Sequence, residues 1–127
     1  MDATKRARLF LAGSAAGFLP AFALPLLLDP YGWARRFGWR QDEPETDVGL
    51  YFGRCLGALA TALVGRALWA ARDPEEHPEL FPLIETTSWL LVAVHARRAI
   101  EGRQPPIEHA EIAGYAAVAV LARRCAP

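Results

Sequence analysis

The sequence predicts an all-α fold, a four-helix transmembrane bundle with up-down-up-down topology, in a single integral membrane domain of 127 residues. Two observations predict it. Hydrophobic residues make up 53% of the chain, above the roughly 45–50% of soluble domains. Charged residues collect in the segments 29–47, 72–79 and 97–111, and the stretches between them are strongly apolar. A soluble amphipathic helix would instead carry charges at regular intervals along one face.

The composition leaves a soluble helical bundle as the alternative fold and argues against nucleic acid as a partner. Charged residues make up 22% of the chain and the mean hydropathy is only +0.11, so a soluble helical bundle is the alternative. The 14 basic and 14 acidic residues cancel, which leaves no electrostatic footprint for nucleic acid. The expected partners are therefore membrane lipids and not nucleic acid.

The first predicted helix covers about 9–28, which contains no charged residue. A helix of this length is roughly 30 Å long and matches the hydrocarbon thickness of a bilayer. Pro20 and Pro25 are expected to kink it, and Asp29-Pro30 to end it. An Ala-Phe-Ala triplet within this run resembles a signal-peptidase site, but the apolar residues continue beyond it. We therefore expect a retained helix.

An interfacial segment is predicted between the first and second helices, over 29–47. Aromatic residues alternate there with arginines: Tyr31, Trp33, Arg35, Arg36, Phe37, Trp39 and Arg40. Two interpretations remain open, a short amphipathic helix on the membrane surface and a simple interfacial aromatic belt.

The remaining helices are predicted at about 48–71, 81–100 and 107–124. Their connections are short, so consecutive helices should be antiparallel. Four spans place both termini on the same side of the membrane. The basic N-terminus, together with Arg123 and Arg124, favours the cytoplasmic side of a bacterial inner membrane. Six arginines then lie on the other side and nearly balance this preference: Arg35, Arg36, Arg40, Arg97, Arg98 and Arg103.

Small residues four apart predict where the helices pack, because helix association in a bilayer relies on close backbone approach. Residues four apart share one helical ridge. The residues concerned are Gly13, Gly17, Gly53, Gly57, Thr61, Gly65 and Gly114. The same rows could serve helix packing within one chain or the formation of a homo-oligomer.

Charged side chains inside the predicted spans need partners, because a charge at mid-membrane costs about 2.5–3.5 kcal/mol on insertion scales. Arg66 lies five residues before the end of the second span, and Glu85 four residues after the start of the third. Both should therefore lie about 6–8 Å inside the same membrane face. The sequence predicts an Arg66–Glu85 ion pair.

A second polar cluster is predicted at the opposite face, from Arg54, His95 and Glu111, with Tyr51 and Tyr115 nearby. Intramembrane ionisable groups often mark a ligand or proton site. Structural pairing, or snorkelling of the long arginine side chain to the interface, is the alternative.

No catalytic residue and no metal site are predicted, so enzymatic activity stays an open question. The chain has no nucleophile–base pair, and its two cysteines lack the spacing of zinc ligands. No cofactor is predicted, with a quinone or a haem as alternatives. A bis-histidine haem on His95 would need His77, on the opposite face, or His109, near a helix end.

The layout resembles the DoxX-like group of small four-helix bacterial membrane proteins. The resemblance rests on Asp29-Pro30, the segment Gly53-Arg54-Cys55-Leu56-Gly57 and the turn Ala71-Arg72-Asp73-Pro74. Some members of that group are described as membrane subunits associated with quinone-linked sulfur oxidation. The resemblance implies an accessory role beside a redox partner.

Two functions follow as expectations. The first is a non-catalytic accessory or scaffold subunit of a larger membrane complex, possessing no active site of its own. The second is a protein or enzyme that binds a lipid, a quinone or another hydrophobic metabolite through Arg54, His95 and Glu111.

Overall fold

The structure is a computed structural model, and it describes residues 1–39, 44–102 and 105–127. Within these ranges the chain forms helices and turns and no strand, so the all-α prediction is confirmed. Arg40, which was predicted in the interfacial segment, lies outside the described residues. The helices are α1 (Ala3–Phe18), a π-helical turn (Leu19–Ala23), α2 (Leu24–Leu28), α3 (Pro30–Arg36), α4 (Asp47–Ala70), a 3₁₀ turn (Pro74–Glu76), α5 (Leu80–Ile100) and α6 (Pro106–Cys125).

Side-chain caps set where two of the helices begin. The carboxylate of Asp2 accepts a hydrogen bond from the Lys5 amide at 2.7 Å, so α1 begins at Ala3, ahead of the apolar run predicted from residue 9. The hydroxyl of Thr46 accepts from the Gly49 amide at 3.1 Å and caps α4. Both caps satisfy amides that the first turn of a helix leaves without a partner.

α1, the π-helical turn and α2 form one continuous helix, Ala3–Leu28, called the first helix below. Pro20 lies within the π-helical turn. Pro25 has no N–H to donate to the carbonyl of Ala21, four residues earlier. The indole Nε1 of Trp33 donates to that carbonyl at 3.2 Å. The interfacial segment therefore folds back to satisfy a backbone group that a proline has freed.

Asp29 separates the first helix from α3. Its extended backbone (φ −145°, ψ 79°) ends α2, and its carboxylate accepts a hydrogen bond from the Gly32 amide at 2.9 Å. Pro30 then occupies the first helical position, where its missing N–H costs nothing. The Asp29-Pro30 pair thus ends one helix and begins the next.

α4 packs antiparallel to the first helix. At one end, the Arg8 guanidinium donates to the carbonyls of Ala71 and Arg72, at 3.0 Å each, just beyond the last residue of α4. At the other end, a Cβ placed on Gly57 would lie 2.3 Å from the backbone nitrogen of Leu27. Gly53 is similarly close to Pro30, where a Cβ would lie 2.5 Å from the proline Cβ. Glycine permits this contact between the two helices.

The other glycines of the predicted rows do not pack within the described chain. A Cβ on Gly13, Gly17, Gly65 or Gly114 would meet no atom within 4 Å. α1 buries Ala7, Leu11 and Ala15 instead. Each α-helical residue turns about 100°, so the glycine row of α1 lies on the opposite side from its buried row. Thr61 is part-buried and donates to the Gly57 carbonyl at 2.8 Å.

α5 packs antiparallel to α6, its most extensive partner. Glu85, near the start of α5, is 3.9 Å from Arg123 near the end of α6. The predicted Arg66–Glu85 ion pair is not formed, because Glu85 faces α6. The Arg66 guanidinium lies over the Trp69 ring, 4.3 Å from its centroid, and 3.4 Å from His77 Nδ1.

An apolar core lies where α1, the end of α4, the start of α5 and the end of α6 meet. Phe10 and Phe81 stack there, with ring centroids 6.1 Å apart. Two of the described helices, Ala3–Leu28 and Asp47–Ala70, are long and apolar enough to cross a membrane. Only 22% and 11% of their most apolar windows are buried within the chain, so neither is a conventional core helix.

The close approach at Gly57 gives a testable prediction. Gly57→Ala should destabilise the protein by about 1–3 kcal/mol, because the new methyl group would push α4 away from Leu27. Gly65→Ala is the matched control on the same helix, since open space surrounds it, and higher helix propensity should make it neutral or slightly stabilising. Thermal unfolding of the purified variants measures both; equal stability of the two would contradict the packing described.

Candidate functional site

A cluster of polar side chains is buried between α5 and α6, near the end of α5. It consists of His95 from α5 and of Glu108 and Glu111 from the first turns of α6. Pro105-Pro106 starts α6 just before the two glutamates. Residues three apart on a helix lie on the same face, so both carboxylates point toward the neighbouring helix that carries His95.

The two ring nitrogens of His95 each lie near one carboxylate. Its Nδ1 is 2.9 Å from Glu108 Oε2, and its Nε2 is 3.6 Å from Glu111 Oε2. Glu108 is completely buried, while the side chains of His95 and Glu111 are 15% and 21% exposed. The cluster is therefore closed at Glu108 and accessible from the side of Glu111.

Two carboxylate oxygens in this cluster are buried without a hydrogen-bond donor, namely Glu108 Oε2 and Glu111 Oε2. His95 Nδ1 lies 2.9 Å from Glu108 Oε2, a distance that gives an ion pair when the imidazole is protonated, but no hydrogen bond to this oxygen is formed. Buried polar atoms in folded proteins are nearly always paired. These two oxygens are the chemical feature that sets the site apart.

The other oxygen of Glu108 is held by a residue from a distant part of the chain. The indole Nε1 of Trp39 donates to Glu108 Oε1 at 2.9 Å. Gly38, with φ +80°, turns the chain at the end of α3 and directs the next residue, Trp39, toward α6. The Arg98 guanidinium carbon lies 5.8 Å from the centroid of the Trp39 ring. Trp39 thereby fixes the orientation of the Glu108 carboxylate.

Ring stacking restricts the orientation of His95. The Tyr115 ring, one turn beyond Glu111, stacks on the imidazole of His95 with centroids 5.3 Å apart. Phe18 contacts the Tyr115 ring edge-on at 6.5 Å and links the cluster to the first helix. Rotation of the imidazole is therefore restricted by packing on its face.

The structure brings together three of the five residues predicted for the second polar cluster: His95, Glu111 and Tyr115. Arg54 is exposed on α4 and, within the described part of the chain, pairs with neither glutamate. Tyr51 is also exposed on α4, with its ring against Phe52. Both belong to a helix that packs mainly on the first helix.

Glu108 and Trp39 are the residues that sequence reasoning missed. The Glu108-x-x-Glu111 spacing was a visible signal, because it places two carboxylates on one helical face. Nothing local signals Trp39, which lies far from Glu108 in the sequence. His77, which was expected on the opposite face from His95, lies in the turn before α5, with its ring centroid 4.6 Å from that of Trp69. His95 lies fifteen residues after Leu80 in α5, about 22 Å along the helix.

One nitrogen and two oxygen atoms lie within 4.8 Å of one another in the cluster, which is a donor set for a cation or a proton. The sequence predicted no metal site, because it contains no cysteine or histidine ligand motif. The three ligands come together because α5 and α6 meet in the fold, whereas a ligand motif lies within one short stretch of sequence. Compared with known proteins, the chain matches no family model, no curated protein and no solved structure.

The role of Trp39 can be tested by substitution. Trp39→Phe should destabilise the protein by about 1–3 kcal/mol, because it leaves a buried carboxylate oxygen of Glu108 without its donor. Trp89→Phe is the control, since Trp89 lies half exposed on α5. Thermal unfolding distinguishes the two variants. A loss no larger for Trp39→Phe than for Trp89→Phe would argue against the hydrogen bond to Glu108.

Proposed function

We propose that the chain is a multi-pass integral membrane protein, a four-helix bundle with up-down-up-down topology. The observation that carries this proposal is the distribution of side-chain size. Among the described residues, eight of the fifteen buried hydrophobic residues are alanines, whereas nineteen large hydrophobic residues are exposed. Large apolar side chains are therefore exposed more often than buried, and just over half of the buried hydrophobic residues are small.

This distribution is unfavourable in water, where each Å² of exposed apolar surface forgoes about 25 cal/mol of burial free energy. Soluble proteins rarely expose a large contiguous apolar surface without a partner. The outer residues of α4 and α5 include Leu56, Leu59, Leu68, Leu90 and Val94. Lipid hydrocarbon is the partner that suits such a surface along the whole length of the helices.

The contacts along the helices support alternating directions. The start of α1 lies beside the ends of α4 and α6 and the start of α5, as the Arg8–Ala71 hydrogen bond and the Phe10–Phe81 stack indicate. Both termini then lie on one side of the membrane. The basic N-terminus favours the cytoplasmic side of a bacterial inner membrane. α3, with its aromatic residues and arginines, suits the opposite interface.

The biochemical role we propose is that of a non-catalytic accessory or scaffold subunit within a larger membrane complex, as the DoxX-like resemblance implies. The outward row of Gly13 and Gly17 on α1 supports it, because no atom of the described residues lies within 4 Å of a Cβ placed on either glycine. In a bilayer such a row permits another helix to approach closely. That helix belongs to a partner subunit in this proposal.

A charge placed in the middle of α4 distinguishes lipid from water around the helix. Leu59 is 70% exposed and lies near the midpoint of Asp47–Ala70. In a bilayer, Leu59→Asp should cost about 2.5–3.5 kcal/mol of insertion free energy and sharply reduce the protein recovered in membranes. Val48→Asp is the control, because Val48 is similarly exposed (64%) but lies at the helix start.

Sedimentation of lysed cells without detergent measures the outcome. The unaltered protein and the Val48→Asp variant should pellet with membranes. If the unaltered protein stays in the supernatant, or if both aspartate variants sediment equally well and in equal yield, the membrane assignment is wrong.

The accessory role predicts that the protein copurifies with another membrane protein after gentle detergent extraction. Gly17→Leu should reduce this copurification at least several-fold, because the larger side chain fills the approach surface. Ala62→Leu, at an exposed position of α4, is the control. Isolation of the monomer alone would contradict the role. A bound lipid or quinone in that monomer, detected by mass spectrometry, would favour the metabolite-binding alternative.

A further inference from the structure

We propose that His95, Glu108 and Glu111 bind a divalent transition metal ion, of the Zn²⁺ or Mn²⁺ type. The ion would join α5 to the start of α6. This inference goes beyond the accessory role proposed above and does not depend on it, because it rests only on the contacts within one chain.

The donor atoms are close enough to share one ion. They lie within 4.8 Å of one another, and a metal with bond lengths of about 2.0–2.2 Å requires its ligand atoms to lie somewhat closer together. Glu111 is 21% exposed, so its side chain has room to move inward. Glu108 and Glu111 come from one helical face and His95 from the facing helix, so only side-chain rotation is needed.

The unpartnered oxygens indicate a cation. Glu108 is fully buried, and its Oε2 atom faces His95 with no hydrogen-bond donor. Glu111 Oε2, which lies 3.6 Å from His95 Nε2, also has none. Two ionised carboxylates this close in an apolar setting repel each other, and one of them stays protonated unless a positive charge lies beside both. A divalent ion bound to both oxygens removes the repulsion and satisfies both atoms.

The surrounding residues hold the donors as outer-shell groups do in metal sites. Trp39 occupies Glu108 Oε1 and leaves Oε2 directed at the cluster. Tyr115 stacks on the imidazole of His95 and restricts its rotation. Such partners orient the ligands before the metal arrives and commonly change the affinity 10- to 100-fold when removed. Trp39 is therefore a positioning residue for this site.

The donor set selects the class of ion. Ca²⁺ and Mg²⁺ prefer oxygen ligands alone, and Cu(I) prefers sulfur. One imidazole nitrogen with two carboxylate oxygens suits Zn²⁺, Mn²⁺ or Fe²⁺. Three protein ligands leave at least one coordination position for water. That position would open toward Glu111, the exposed edge of the cluster.

A doubly protonated His95 between the two glutamates is the competing explanation, since an imidazolium also supplies positive charge. It would need its N–H groups aligned with the facing oxygens. In the structure, neither oxygen accepts a hydrogen bond from the ring. The two explanations differ in one measurable respect, because only the metal site responds to a chelator.

The test uses the full chain, purified, stripped with a chelator, incubated with Zn²⁺ or Mn²⁺ and desalted. Elemental mass spectrometry should find one ion per chain, and the melting temperature should rise with the ion. His95→Gln and Glu111→Gln should each reduce the retained metal at least tenfold. His77→Gln and Glu101→Gln are the matched controls, since both residues lie outside the cluster, and they should retain it.

Three results of the metal analysis would overturn the proposal: no retained ion in the unaltered protein, retention in the two site variants, or loss in either control. A fourth would be an X-ray absorption spectrum at the zinc edge that shows sulfur ligands or several imidazoles. The spectrum is measured on the unaltered protein, so it decides the question even if a variant fails to fold. Trp39→Phe should weaken binding less than His95→Gln. Metal retention tests the metal site alone. Sedimentation tests the membrane assignment and copurification tests the accessory role, so each proposal can fail without the others.

Discussion

The backbone of α4 approaches the end of the first helix so closely at Gly57 that a Cβ there would lie 2.3 Å from Leu27. Other features follow from this contact. It places Pro30 against Gly53 and so sets the direction of α3. Gly38 then turns the chain, and Trp39 reaches the Glu108 carboxylate on α6. The contacts of Gly57 with the Leu27 backbone and of Gly53 with the Pro30 ring therefore influence, through α3, the position of the buried polar cluster.

The helices bury many small residues and a polar cluster, and they expose many large apolar side chains. Alanines make up just over half of the buried hydrophobic residues among those described and allow the helices to approach closely, while large apolar side chains are exposed more often than buried. Glu108, the buried carboxylate, contacts His95 and the Trp39 indole, and the His95 ring stacks on Tyr115. Burying ionisable groups in an apolar environment costs free energy, so such groups commonly mark functional sites.

Local features of the fold were predictable from the sequence, and relations between helices were not. Apolar length and the Asp29-Pro30 break locate the first helix, because they depend only on neighbouring residues. By residue count, Arg66 and Glu85 lie at the same depth, but they do not pair. Arg66 contacts Trp69 and His77, and Glu85 lies near Arg123. Depth fixes a position along the helix axis, whereas a contact also needs the side chain to point toward the right neighbour.

The sequence by itself determined that the chain is helical, where the apolar segments lie and that Glu108 and Glu111 share a face of α6. Only the tertiary structure decided that α5 faces α6, that Trp39 holds Glu108, and that Arg54 stays apart from His95 and Glu111. The physical reason is that these helices are apolar on nearly every side. A helix without a distinct polar face does not reveal in its sequence which side is buried, so its rotation is set by packing against its neighbours.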